Sequence, residues 1–256
     1  MDIVLNNDNP KWILVRGLMR DKRHWQDFSE SLFAAVIALN IDVIALDCLG
    51  NGEFSHENSP LTITAYARAL LEQLEGNDNN IIGLSMGGMI ALEMARLAPE
   101  KVSKIVVINA SAANLSPWHA RFSIAAVLRA YRTRVKCDQV HWLEATALKL
   151  SSDCNGENLS IAKQWSALRL ESRVRLLNVF RQLWACARFK CCDSLQQPIF
   201  VFSGNKDKLV SPSCSMAIAK HYRCQLIEFD EAGHDISLDA STTLARQLKH
   251  LLLSTN

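Results

Sequence analysis

The chain has 256 residues, 49% hydrophobic and 21% charged, with 10 Gly and 6 Pro; this balance fits one large domain or a core with a modest insertion and excludes a disordered or fibrous chain. A formal net charge of +2 is too small to argue on its own for nucleic acid or membrane, which need a concentrated basic field, and the longest apolar stretches, such as Leu32 to Leu39, are too short to span a bilayer. Eight cysteines with no CxxC pair or zinc spacing, and a start at Met1 to Asp8 that lacks a cationic then apolar run, lead us to expect reduced thiols and a cytoplasmic protein.

Taken in chain order, the first strand signal is Trp12–Val15, followed by Arg16-Gly17-Leu18 and a helical pattern through Trp25, Phe28, Leu32, Phe33 and Val36. Val43–Leu46 is the second strand, and the helix after it repeats at Ile63, Tyr66, Leu70, Leu71 and Leu74. Ile81–Ile82 leads through Gly83-Leu84-Ser85-Met86-Gly87 into a helix with Met89, Ile90, Leu92 and Leu97 on its apolar positions. Ile105–Ile108 is the fourth strand. The alternation then stops, and residues 113–194 carry helical patterns with Trp118, Trp142, Trp165 and Trp184 scattered among them. It resumes with strands at Ile199–Phe202 and Leu226–Phe229. The expected class is α/β: a mostly parallel sheet of about six strands flanked by helices. Residues 1–112 and 195–256 form its core, and 113–194 a helical lid over the carboxyl edge of the sheet.

The chemistry sits at strand ends. Gly83 and Gly87 leave room for a sharp reversal that holds Ser85 in a strained conformation with its hydroxyl exposed. The Met86 amide, at the start of the following helix, is a free donor for developing negative charge. A serine hydroxyl needs a base to take its proton, and that base needs a carboxylate to orient it. Asp207 ends the loop after Ile199–Phe202, and His234 ends the loop after Leu226–Phe229, so all three groups reach one edge of one sheet. Asp230 and Asp235 are the competing acids. Asp235, as the neighbour of His234, is poorly placed to face it, and Asn109, after the fourth strand, carries no charge to offer.

These residues together resemble the α/β-hydrolase superfamily, in its branch of lidded esterases and carbon–carbon bond hydrolases, over nearly the whole chain. Asp47-Cys48-Leu49-Gly50-Asn51-Gly52-Glu53-Phe54-Ser55 is similar to that family's structural loop after the second core strand. The resemblance implies that the first three strands lie in the order second, first, third, and that the amide after the first-strand glycine, here Leu18, completes an oxyanion hole with Met86. The family usually has His-Gly where this chain has Arg16-Gly17. Arg16 is therefore expected either to bind a substrate carboxylate or to hydrogen-bond neighbouring loops, the second being favoured. Trp25 matches a family position and is expected to pack. With so few residues before the first strand, the family's N-terminal hairpin should be missing or reduced to Ile3–Leu5.

The resemblance further implies a serine hydrolase that cleaves a small-molecule carboxylic ester with no metal or organic cofactor. A thioesterase or carbon–carbon bond hydrolase would use the same groups. A non-catalytic small-molecule receptor is the reading from another class, and an intact set of Ser85, Asp207 and His234 argues against it. Residues 113–194 contain 13 Lys and Arg against 6 Asp and Glu, whereas the remainder has 15 against 20. The basic lid could attract an anionic substrate; a solvated face is the favoured reading, because Arg169, Arg173 and Arg175 recur at spacings one exposed face would explain. The lid's tryptophans, with Phe122, Phe180 and Phe189, could line a hydrophobic acyl or aryl pocket or dock the lid on the core, docking being the favoured reading.

Overall fold

A strand buried on both faces reads as a near-continuous apolar run, and its backbone groups are satisfied by parallel neighbours linked through helices. The computed structural model describes residues 9–173 and 175–254. Its six strands are β1 (Lys11–Val15), β2 (Asp42–Leu46), β3 (Asn79–Leu84), β4 (Val102–Ile108), β5 (Ile199–Gly204) and β6 (Gln225–Phe229). They form one sheet in the order β2-β1-β3-β4-β5-β6, every pair parallel. The expected arrangement of the first three strands holds. Chain direction across the sheet therefore reverses between β1 and β3, which opens a crevice at their carboxyl ends. The expected Ile3–Leu5 remnant lies outside the described residues.

The helices in chain order are α1 (Gln26–Val36), α2 (Ile63–Leu71), α3 (Met86–Leu97), α4 (Trp118–Arg121), α5 (Ile124–Thr133), α6 (Trp142–Ser151), α7 (Leu159–Ser172), α8 (Leu176–Arg188), α9 (Pro212–Tyr222), α10 (Ile236–Asp239) and α11 (Ser241–Ser254). Alternate strand residues feed two cores, as the two-residue period requires. Ile13, Val15, Ile81, Ile105 and Val107 pack with α2, α3 and α9. Trp12, Leu14, Ile82, Val106 and Ile108 pack on the opposite face with α1 and α11. In α1 the buried residues are Phe28, Leu32 and Val36, while Phe33, expected on the same face, is exposed. The four-residue spacing of the other three aligns them on a stripe from which Phe33 is rotated by about 100°. Trp25 does not begin α1; it closes a 3-10 turn, Lys22–Trp25, and is buried.

Helices α4 to α8 all lie between β4 and β5 in sequence. Leu148, Ala162 and Trp165 form a small apolar core of their own there. The aromatic residues of this segment divide, against the expectation that they dock it. Trp165 and Phe189 are buried, whereas Trp118, Trp142, Phe180 and Trp184 are exposed. The shared exposed face expected for Arg169, Arg173 and Arg175 is absent. Arg169 pairs with the buried Glu144, Arg173 ends α7 in the left-handed region, and Arg175 caps α8.

Candidate active site

Ser85 occupies the turn from β3 to α3 with φ 57° and ψ −115°, outside the regions a non-glycine residue adopts without strain. The turn is possible because its flanks lack side chains. A Cβ on Gly83 would lie 2.1 Å from the Gly87 oxygen, and one on Gly87 would lie 2.1 Å from the Val15 oxygen. The Ser85 amide is anchored by the Ile108 carbonyl at 2.7 Å. Its hydroxyl has no hydrogen-bond partner among the described residues and is half-buried, facing a cavity.

His234 and Asp207 arrive from the loops after β6 and β5. The His234 Nδ1 and Asp207 Oδ2 are 2.6 Å apart. Asp207 is itself fixed, its Oδ1 accepting the Leu209 and Val210 amides at 2.8 and 2.9 Å. Burial disfavours the imidazolium of His234, but the Asp207 charge and hydrogen bond, helped by Asp235, outweigh it against the opposition of Arg16. The histidine is held above its ordinary value.

Asp235 does not compete for His234. It forms a buried ion pair with Arg16, Nη2 to Oδ2 at 2.5 Å, and Arg16 Nη1 also donates to Ser237 Oγ at 3.1 Å. The Arg16 guanidinium lies 4.7 Å from the centroid of the Trp25 ring. Its hydrogen-bond partners are thus a carboxylate and a hydroxyl of the neighbouring segment after β6, and an aromatic face lies against it.

The loop after β1 runs alongside Ser85, and a Cβ on Gly17 would come within 3.1 Å of the Ser85 Cβ. The backbone amides of Leu18 and Met86 donate to no acceptor among the described residues. The next amide, Met19, donates to Gln182 Oε1 of α8 at 2.9 Å. Gln182 Nε2 then reaches Asn51 Oδ1 at 2.8 Å, and Asn178, one turn earlier, accepts the Ser59 amide and donates to the Gly50 and Glu57 carbonyls. On the other side, Arg20 pairs with Glu144 of α6 at 2.7 Å and stacks on Trp165. The loop after β2 behaves structurally: Asp47 accepts the Lys22 and Glu53 amides, and a Cβ on Gly52 would collide with its carboxylate.

Two apolar cavities meet at Ser85. One, of about 210 Å³, includes His234, Leu143, Ala147, Leu150 and Val179 in its wall. The other, of about 370 Å³, includes Met89, Trp118, Arg121, Cys186 and Val210. Leu18, Phe122, Leu183 and Leu209 border both. Arg121 is braced by the Cys186 and Ala187 carbonyls at the end of α8. Burial pushes the Cys186 thiol up to about 12, so it is no rival nucleophile near neutrality.

Sequence reasoning set Asn109 aside for want of charge and missed its role as a tether. Its Nδ2 donates to the Gly233 and His234 carbonyls at 3.2 and 2.8 Å, and its Oδ1 accepts the Gly204 amide at 2.9 Å. A lone amide at the end of an apolar strand was the available signal. Asn178 and Gln182 were missed because polar residues on a helix ordinarily read as its solvent side.

This fold is that of the α/β-hydrolase class. The chain belongs to the alpha/beta hydrolase fold family, whose model matches residues 13–241. It is 28% identical over 188 residues to the pimeloyl-[acyl-carrier protein] methyl ester esterase of Aromatoleum aromaticum, a match covering 68% of this chain and 73% of that one. It is 40% identical over 83 residues to the homoserine O-acetyltransferase of Thermus thermophilus, covering 31% of this chain and only 22% of the relative's length. Among solved structures, the 2-hydroxy-6-oxo-6-phenylhexa-2,4-dienoate hydrolase of Rhodococcus sp. strain RHA1 superposes with a TM-score of 0.73 at 21% identity, covering 97% of this chain and 92% of the other. That likeness concerns the fold. No helix among the described residues is long and apolar enough to cross a membrane.

Proposed function

We propose that the protein is a serine hydrolase that cleaves small to medium carboxylic esters, with Ser85 as nucleophile, His234 as base and Asp207 as the acid that orients it. The carrying observation is the strained Ser85 backbone at a cavity whose wall also holds His234, itself bonded to Asp207. His234 takes the Ser85 proton as the hydroxyl attacks the ester carbonyl, and Asp207 stabilises the imidazolium. The unused Leu18 and Met86 amides receive the oxyanion. The alcohol leaves with the proton from His234, and water repeats the sequence to release the acid. Residues 113–194 act as the lid that walls the cavities. The Arg16 stem borders the acyl site, but its guanidinium is committed to Asp235 and serves the loops rather than a substrate carboxylate. The eight free cysteines support a reducing compartment such as the cytoplasm.

The name of the Aromatoleum aromaticum relative supports an ester substrate over the carbon–carbon bond reading. A thioester would use the same machinery. Treatment with a fluorophosphonate should modify Ser85 and fail with Ser85→Ala, and a graded panel of acyl esters and thioesters should be hydrolysed only by the wild type. An unlabelled Ser85 in folded protein would overturn the proposal.

A further inference from the structure

A helix on a protein surface ordinarily turns its apolar side inward, because burying apolar area is favourable and burying unpaired polar groups is costly. Helix α8 does the reverse. Its fully buried side chains include Asn178 and Gln182, both 0% exposed, while Leu176, Leu177, Phe180 and Trp184 are 58, 53, 68 and 54% exposed. The buried amides are satisfied by the loops after β1 and β2, as described above, so the orientation of the helix is fixed. Trp118 of α4, beside the same cavity as the end of α8, is exposed as well, at 69%. Exposed large apolar residues grouped on one element mark an interaction surface.

Basic residues lie at both ends of this helix. Arg173 and Arg175 precede α8 and are exposed, and Arg188 at its end is exposed and lies over the Trp184 ring at 5.3 Å. Leu, Phe and Trp on one side of a helix with arginines at its margins is the pattern of a helix that rests in a lipid headgroup region. We infer that the outer face of α8 docks on an anionic lipid surface, with Leu176, Leu177, Phe180 and Trp184 entering the acyl boundary and Arg173, Arg175 and Arg188 meeting the headgroups. The charge complementarity selects this occupant: in a two-fold pairing of identical copies the same arginines would confront one another. The inner side of α8 contributes Val179 and Leu183 to the cavity walls around Ser85, so docking would set an apolar substrate dissolved in the bilayer beside the cavities. That last consequence rests on the serine-hydrolase reading; the docking does not.

The test is sedimentation of the full chain with vesicles of phosphatidylcholine alone or mixed with phosphatidylglycerol, read together with tryptophan fluorescence. The mixed vesicles should bind the protein about tenfold more tightly and shift its emission to the blue. Replacing Phe180→Ser and Trp184→Ser together should weaken binding by about tenfold or more, while hydrolysis of a water-soluble ester is retained. Arg175→Glu should cost about fivefold for each unit of charge change. Binding that survives the serine pair and vanishes with salt would reduce the contact to charge alone and overturn the inference. So would a concentration-dependent dimer, abolished by the serine pair without lipid present, or vesicle-insensitive fluorescence. Ser85→Ala should bind vesicles like the wild type, which separates failure of docking from failure of the hydrolase assignment.

Discussion

Arg16 and Asp235, 219 positions apart in sequence, form a buried ion pair at 2.5 Å that joins the loop after β1 to the loop carrying His234. Arg16 thus braces the two loops that flank Ser85. Burial disfavours the Asp235 carboxylate, but the Arg16 charge and hydrogen bonds outweigh it and hold the carboxyl below its ordinary value.

Arg16→Met should therefore strand a buried carboxylate and cost about 3–5 kcal/mol of stability, measurable by denaturant unfolding. The depressed pKa means that the pair stabilises the fold above the unfolded carboxylate pKa of about 3.9 and loses that contribution as pH falls through the folded value. In Arg16→Met burial instead disfavours the unpaired carboxylate, so its penalty should shrink as Asp235 takes up a proton, and the stability gap from the wild type should be widest near neutrality and narrow in acid. Combining it with Asp235→Leu should recover part of the loss; equal stability of the single and wild-type proteins would contradict the pairing.

In the proposed mechanism His234 must be neutral to accept the Ser85 proton. Its pKa is raised chiefly by Asp207 against the effect of burial, so the acid limb of kcat/KM should lie above the ordinary histidine value of about 6.5. Asp207→Asn removes that charge. The limb should move to lower pH while kcat falls by roughly 10⁴, and a pH–rate profile of both proteins reads both effects.

Gly87→Ala tests the backbone at Ser85. Its new Cβ would meet the Val15 carbonyl, which belongs to a central strand and has little room to yield. A loss of about 3 kcal/mol or more is expected, with fluorophosphonate labelling abolished. Gly88→Ala is the milder comparison, since its Cβ would lie 3.0 Å from the Ala110 and Val107 side chains and 3.1 Å from the Gly83 oxygen, where small shifts suffice; it should cost less and retain labelling.

Asn109→Ala would leave the Gly233 and His234 carbonyls and the Gly204 amide without their partner. A cost of at least about 2 kcal/mol is expected, with kcat reduced more than KM is raised, because the loops bearing Asp207 and His234 lose their common tether. Asn109→Asp should not rescue it, as a carboxylate cannot donate to two carbonyls.

What could be read from the sequence was what is encoded locally. Glycine at 83 and 87 makes the turn at Ser85 visible within five residues, and apolar runs separated by helical periodicity give a parallel sheet, while the order of its first strands came from the family resemblance. The pairings that define the site are different in kind. Nothing near Arg16 names Asp235, and Asp207 was preferred over Asp235 because its loop follows a core strand and adjacent side chains rarely face each other; His234 is bonded to Asp207 and Arg16 to Asp235. Asn178 and Gln182 misled for a physical reason: helical periodicity reports which residues differ in polarity, not which side faces inward. On α8 two amides face inward beside smaller apolar residues, while Leu176, Leu177, Phe180 and Trp184 face out.

The bond from the Met19 amide to Gln182 bears on protein engineering. A chimera that exchanged residues 113–194 for another family member's insertion would remove the acceptor from that amide and, with Asn178, the partners of Ser59, Gly50 and Glu57. Specificity in this scaffold is consequently not a detachable module. Any graft must carry both amide side chains at matching positions, or the loop beside Ser85 will lose the support that sets its shape.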